Sequence, residues 1–339
     1  MTEKLNNSYD VVVVGGGAAG LNGALMLVRA RRSVLVIDSG HPRNAPAEGI
    51  HGLLGHDGLP PAELLERGRA EVRGYGGAVV TGTVTTTARE GDGFTVTSAD
   101  GDTIRARRLL VTTGLVDELP DIEGLRERWG RDVVHCPYCH GYEVRDRAIG
   151  VIATGPMSVH QALLFRQLSS DITYFTHTTS APTGEQAEQL AARGIRLVPG
   201  TVASLAIVED AIAGVELSDG RVIPRDAVAI ASRMTPRADF LAPLGLRPTP
   251  HPSGVGDHIP TDPTGRTEVP GLWLAGNVTD LAAQVGAAAA AGAAAGAQIN
   301  FDLVTEETRA AVAAYRDPLS AESESHVSEL ITSDRRHGL

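Results

Sequence analysis

Nine consecutive residues carry the most specific chemistry of the chain: His135-Cys136-Pro137-Tyr138-Cys139-His140-Gly141-Tyr142-Glu143. Both cysteines of the sequence stand here, as one Cys-x-x-Cys. With two residues between them, the thiols can meet at a helix N-terminus, where the dipole favours a thiolate. Such a pair cycles between dithiol and disulfide. The same residue types also serve zinc, because His135 and His140 flank the cysteines. Zinc, however, usually takes a second ligand pair at a distance, and the adjacent Cys139 and His140 do not easily converge on one ion. An inert pair is the third possibility. The expectation is redox chemistry at Cys136 and Cys139, with no metal. Two cysteines in 339 residues build no disulfide framework, so the pair is read in a reducing compartment.

A second constellation lies near the start. Residues 10–14 are an Asp followed by four valines, a pattern for a strand buried on both faces. It runs into Gly15-Gly16-Gly17-Ala18-Ala19-Gly20, then a helical stretch to about Arg31, then a second buried strand at 33–37 closed by Asp38. Strand, Gly-x-Gly-x-x-Gly, helix, strand and acid in this order point to a dinucleotide. Gly15, Gly17 and Gly20 permit the tight turn and the close approach of a pyrophosphate to the helix N-terminus, and Asp38 is placed to accept hydrogen bonds from a ribose.

The elements that must position these groups follow the same logic. Between 77 and 111 the pattern changes to short alternating strands, with a hairpin at Ala99-Asp100-Gly101-Asp102 and a return strand into Thr112-Thr113-Gly114. A second strand-helix-strand unit opens at 148–152, continues through a helix at 158–168 and closes with a strand at 172–175. A further pair of strands is expected near 214–217 and 227–231. The chain returns through Gly271-Leu272-Trp273-Leu274-Ala275-Gly276-Asn277 to an Ala-rich helix at 282–297, and beyond Asp317 a polar, aperiodic stretch is expected to be a mobile tail. The fold class expected is α/β, with two Rossmann-type nucleotide-binding units.

Composition narrows the partners. A net charge of -11 disfavours nucleic acid and anionic membrane faces. The opening MTEKLNNSYD lacks the basic, apolar and small-residue order of a secretory signal, and the Ala-rich run broken by Gln284 is too weakly apolar to span a bilayer. The expected location is the cytoplasm.

The order of these motifs resembles the low-molecular-weight thioredoxin reductase fold of the flavin disulfide oxidoreductases, over about residues 8 to 305. Asp38-Ser39-Gly40-His41-Pro42-Arg43-Asn44 and Cys136-Pro137-Tyr138-Cys139-His140-Gly141-Tyr142-Glu143 are most similar to the branch of dithiol oxidases that close disulfides in gliotoxin- and holomycin-type natural products. Thioredoxin reductases proper usually have Asp after the second cysteine; here it is His140. The resemblance implies an FAD-binding unit at 1–117 and 244–317, a unit at 118–243 that is NAD(P)-binding in shape and carries the Cys-x-x-Cys, a tail at 318–339, and a homodimer. It implies FAD held by Gly15, Gly17, Gly20, Asp38, Asn44, Thr113, Gly114, Gly276, Asn277 and Gln284. Asn277 stands where the family normally has Asp, and its amide is expected to reach a ribityl hydroxyl.

The second unit departs from the pattern. Ala153-Thr154-Gly155-Pro156-Met157-Ser158 lacks the first glycine of a nucleotide turn and puts a proline, without a backbone donor, in the loop that should hold a pyrophosphate. Thr176-His177-Thr178-Thr179 offers no arginine for a 2′-phosphate. The expectation is an FAD-dependent oxidase that takes electrons from a small-molecule dithiol and gives them to O2, yielding H2O2. A thioredoxin reductase-like disulfide reductase fed by NADPH or another donor and a non-catalytic flavin-binding sensor stay open. In the oxidase, His140 would accept a thiol proton, an imidazole near pKa 6.5 serving thiols near 8.5. The bland alternative for His140 is a capping or packing role, and His135 is the weaker candidate for the base.

Overall fold

The computed structural model describes residues 6–317, together with Ser325 and Ser328. The proposed tail therefore lies almost entirely outside the described residues. The first unit opens with strand β1 (Ser8–Val14), helix α1 (Ala18–Arg29) and strand β2 (Val34–Asp38), followed by α2 (Pro61–Gly74), β3 (Ala78–Thr81), β4 (Val84–Glu90), β5 (Gly93–Ser98) and β6 (Thr103–Val111). The valines of β1 are buried because β1 lies between β2 and β6, both parallel to it. The hairpin expected at 99–102 joins the antiparallel β5 and β6.

Strand β7 (Leu115–Glu118) leads out of this unit into the second, which contains β8 (Val133–Val134), the short helix α3 (Pro137–His140), β9 (Ile149–Ile152), α4 (Ser158–Phe165), β10 (Ile172–Phe175), α5 (Gly184–Ala192), β11 (Arg196–Val198), β12 (Val202–Val208), β13 (Ala211–Leu217), β14 (Val222–Ile223) and β15 (Ala227–Ile230). Five strands form a parallel sheet in the order β11-β10-β9-β15-β8. The two strands expected near 214 and 227 are both present, in different sheets. β13 sits between β12 and β14 in a small antiparallel sheet, while β15 lies in the parallel sheet. The sequence pattern of short apolar runs marks both as strands and is silent on partners.

The chain returns through β16 (Arg233–Pro236), antiparallel to β7, so two adjacent crossings join the units. Strands β17 (Thr249–Pro250), β18 (Asp257–His258) and β19 (Leu272–Leu274) and helix α6 (Val285–Arg316) complete the first unit, with β19 parallel to the C-terminal half of β6. The return comes earlier than residue 244. Ala238, Phe240 and Leu241 are already in the core of the first unit, and the Phe240 carbonyl accepts the Thr87 hydroxyl at 2.8 Å. The final helix is also longer than expected, because past the Ala-Gly segment its acids meet a row of arginines: Arg32 and Arg107 bond Glu307, and Arg108 bonds Asp302. The Ala-Gly segment lets α6 lie against α1: a Cβ at Gly292 would stand 1.9 Å from the Ala19 carbonyl oxygen. Among the described residues no helix is long and apolar enough to cross a membrane.

Candidate active site

One cavity of about 810 Å³ runs from the first glycine-rich turn to the cysteine pair. At one end β1 stops at Val14, and Gly15 turns with φ +106°, a conformation that side chains rarely adopt. Gly20 does not line this cavity. A Cβ there would come 1.9 Å from the Gly15 carbonyl oxygen, so this glycine is needed where α1 packs under the turn. Gly17 caps α1 without a side-chain hydrogen bond, and space is open beside it. The first N–H groups of α1 thus face a cavity, an arrangement suited to an anion. The Asp38 carboxylate closes this end, accepting the Gly16 N–H at 3.0 Å and facing Arg69 at 3.4 Å.

Gly15, Gly17, Asp38, Asn44, Thr113, Gly114, Gly276, Asn277 and Gln284 all line the cavity, as do Cys136, Cys139 and His140. Residues from five separate stretches of sequence therefore converge. Asn277 also has a task in the fold. Its Nδ2 donates to the carbonyls of Asp280 and Ala283, both at 2.9 Å, and so builds the loop that enters α6. Only its Oδ1 is left for a ligand. Gln284 is the N-cap residue of α6.

At the other end, Cys136 is the N-cap residue of α3 and Cys139 lies within that helix, its N–H bonded to the Cys136 carbonyl at 3.2 Å. Both are half-buried, free thiols. The Cys139 thiol beside it, together with the N–H groups of Tyr138 and Cys139 and the charge of Arg43, brings Cys136 down to about 6 against the resistance of burial. Cys136 and burial push Cys139 upward. The reduced pair therefore holds its negative charge on Cys136 and its proton on Cys139.

Sequence reasoning missed Arg43. Its guanidinium grips Asp117 with two hydrogen bonds of 2.7 Å, Asp117 also accepts the Ser232 hydroxyl at 2.6 Å, and the arginine lines the cavity. Burial alone would raise the Asp117 carboxyl, and Arg43 outweighs it. The signal was present in the 38–44 stretch, yet a pair separated by 74 residues has no local pattern. Burial, aided by Arg43, lowers the pKa of His135. The His135 carbonyl accepts Nε2 of Gln161 from α4 at 2.8 Å. Burial also holds His140 below the ordinary imidazole range, and its Nε2 is enclosed without a hydrogen-bond partner. His140 lines the same cavity as the two thiols, and a neutral imidazole there is a candidate to take a proton.

The second unit's turn is arranged otherwise. It does not line this cavity, and the Thr154 and Gly155 N–H groups both donate to the Ser158 hydroxyl, at 3.0 and 3.2 Å.

A cavity that joins a nucleotide cradle to a Cys-x-x-Cys is matched in known proteins. The family model described as pyridine nucleotide-disulphide oxidoreductase matches residues 9–296. The chain belongs to this family. Its members are flavoproteins, and the cradle at 15–20 with Asp38 fits the nucleotide half of such a cofactor. A protein named thioredoxin reductase sirT, from Leptosphaeria maculans, is 30% identical, covering 86% of this chain and 94% of its own length. Thioredoxin reductase tcpT from Claviceps purpurea is also 30% identical, over 80% of this chain and 87% of that protein. Among solved structures, HlmI superposes with a TM-score of 0.86 at 46% identity, covering 92% of this chain and 98% of that one. The protein is thus a thioredoxin reductase-like oxidoreductase of α/β fold, as its motif order implied.

Proposed function

We propose that the protein is an FAD-dependent dithiol oxidase, forming a disulfide within a small-molecule dithiol of natural-product type, with O2 as acceptor and H2O2 as product. The observation that carries this reading is the contrast of the two turns. The first is open to the cavity that holds the cysteine pair, whereas the N–H groups of the second are already bonded by Ser158. Electrons then enter from a thiol and not from a nicotinamide. The names of sirT and tcpT favour the alternative, an NADPH-fed disulfide reductase.

FAD would be held by the cradle at 15–20, by Asp38, and by the cavity-lining Thr113, Gly114, Asn277 and Gln284. When bound, it supplies the two-electron acceptor that reoxidises the cysteine pair and passes the electrons to oxygen. The chain's own residues perform the thiol chemistry. His140 takes the proton of the first substrate thiol, whose thiolate attacks Sγ of Cys136 in the Cys136–Cys139 disulfide. The enzyme S–S bond breaks, Cys139 leaves as a thiolate, and His140 returns the proton to it, which frees the base for the second thiol. The second substrate thiol then loses its proton to His140 and attacks the substrate sulfur of the mixed disulfide. The product S–S bond forms, and Cys136 departs as a thiolate, a good leaving group with a pKa of about 6. Two electrons now reside in the cysteine pair, one proton on Cys139 and one on His140. A single base suffices because the enzyme's own leaving thiol accepts the other proton.

Anaerobic mixing decides between the readings. The flavin should bleach rapidly with dithiothreitol and remain oxidised for minutes with micromolar NADPH; stoichiometric bleaching by NADPH within seconds would establish the reductase. His140→Ala should slow the dithiol step by about 10²-fold or more at neutral pH, the scale of general base catalysis, and lose less as the substrate ionises at higher pH.

A further inference from the structure

The cysteine pair belongs to the second unit and the glycine-rich cradle to the first, so their meeting in one cavity depends on how the two units are held. No shared core does this. Among the described residues each large buried apolar cluster lies within one unit or the other, and the small cluster of Leu115, Met234 and Leu281 belongs to the crossings and the first unit. Units joined without a large apolar interface move relative to one another unless polar contacts fix them.

Such contacts come from the stretch 41–51 of the first unit, much of which lines the cavity. Arg43 Nε and Nη2 bond Asp117 Oδ2 and Oδ1, both at 2.7 Å, and Nη2 also stands 3.6 Å from Met234 Sδ. Arg237 Nη1 donates to the His41 carbonyl at 2.9 Å, Pro46 packs on Gly130, and His51 Nε2 stands 3.4 Å from Glu143 Oε1. These contacts are unequal. The Glu143 side chain is 42% exposed, whereas Asp117 is 7% exposed and held by a two-pronged guanidinium, the geometry in which an ion pair is strong. Asp117 also stands near the end of β7 that enters the second unit, opposite Met234, and there it accepts the Ser232 hydroxyl. Ser232 is two residues past the end of β15, β15 pairs with β8, and β8 runs directly into His135 and Cys136. A short, stiff path thus leads from Arg43 to the thiols.

We propose that Arg43 is a positioning residue: its grip on Asp117 clasps the second unit to the stretch 41–51 and keeps the cysteine pair at the flavin cavity. Without the guanidinium, Asp117 is left as a buried carboxylate with Ser232 as its remaining side-chain partner, and the crossings lose their strongest tie to the first unit. The clasp serves exchange between the pair and a bound flavin in either direction. It therefore applies to a dithiol oxidase and to a disulfide reductase alike.

The test compares wild type, Arg43→Met and Asp117→Ala as flavin-loaded proteins. Asp117→Ala removes the clasp and keeps the cation, so a defect common to both variants comes from the clasp and not from the charge. After anaerobic mixing with dithiothreitol, opening of the Cys136–Cys139 disulfide is counted as alkylated thiols by mass spectrometry, and the flavin is followed by its colour. In wild type, bleaching should keep pace with thiol release. In both variants thiols should appear well before the colour is lost, with bleaching slowed by about 10²-fold, the scale on which a displacement of about 1 Å acts. A second readout needs no turnover. With Cys136→Ser and Cys139→Ser in place, nitroxides at Glu71→Cys on α2 and Glu188→Cys on α5, both exposed, report the distance between the units by pulsed electron paramagnetic resonance. The clasped protein should give one narrow distribution, which both variants broaden. An unchanged distribution in both variants overturns the proposal whatever the rates, and so does bleaching that keeps pace with thiol release in both. Should dithiothreitol leave the wild-type flavin oxidised, the oxidase reading falls and the distances still decide on the clasp. If one variant does not fold, the other decides; if neither folds, Arg43→Lys, which keeps the charge and loses the fork, takes their place.

Discussion

The turns at 15–20 and 153–158 follow the same kind of buried parallel strand and enter the same kind of helix, yet they treat their backbone donors in opposite ways. At the first, glycine caps α1 without a side-chain hydrogen bond, and the donors face a cavity. At the second, the hydroxyl of Ser158 accepts the N–H groups of Thr154 and Gly155. Donors bonded within the chain must give up those bonds before they can bind a pyrophosphate, and that cost is of the order of the hydrogen bonds themselves. On the proposed reading, one unit of the duplicated architecture keeps a nucleotide site and the other acts as scaffold. Gln161 of α4 in that second unit holds the carbonyl of His135, next to the cysteine pair.

The strongest way to break this contrast is to fill the open turn. In Gly20→Val the added atoms meet the Gly15 carbonyl and the Thr112 hydroxyl, and overpacking of this kind costs about 1 to 3 kcal/mol. The variant should purify without flavin and melt well below wild type, whereas the open position Gly155→Ala in the second turn should leave both properties unchanged. Asp38→Ala acts on the same turn more gently. Losing charge-assisted hydrogen bonds of about 1.5 to 3 kcal/mol should weaken FAD retention by about 10- to 100-fold, as read by titrating the apoprotein with FAD.

A third helix N-terminus sharpens the comparison, since α3 offers its end to a sulfur. The Cys136 thiol is depressed in the folded protein, so its thiolate form is present above about pH 6 and is lost as pH falls through that value. Alkylation of the reduced protein by iodoacetamide should rise through about pH 6 and then level, with modification at Cys136 and Cys139 untouched at neutral pH, as mapped by mass spectrometry. A single midpoint near 8.5 would show that the open helix end does not act on charge. The smallest effect is expected from Ser158→Gly. Freeing two N–H groups should raise NADPH-dependent flavin reduction by a few-fold at most, because Pro156 and the Thr176 stretch remain. Recovery to the rate seen with dithiol would mean that Ser158 alone closes the second site.

Much of this was readable in advance. The valines of β1, the glycines after them and Asp38 at the end of β2 are contiguous signals, and the acid does meet the turn. The Cys-x-x-Cys likewise announced a helix N-terminus, and α3 begins at Pro137. Arg43 with Asp117 and His51 with Glu143 were not readable, because each joins residues separated by a whole unit and neither residue type is unusual where it stands. The turn at 153–158 was legible as a loss of glycine. That Ser158 takes over the freed donors appears only once the helix is built, because a hydroxyl three or four residues along reaches back only in that geometry.

Local order along the chain was enough to determine the two nucleotide-type units, the redox pair and its place at a helix end, because period, turn chemistry and helix capping act over a few residues. Tertiary structure decided which turn stays open, which cysteine carries the charge, and which distant groups tie the units together. Those outcomes depend on desolvation and on charges brought together across the join between the units, and such terms exist only after the chain has folded.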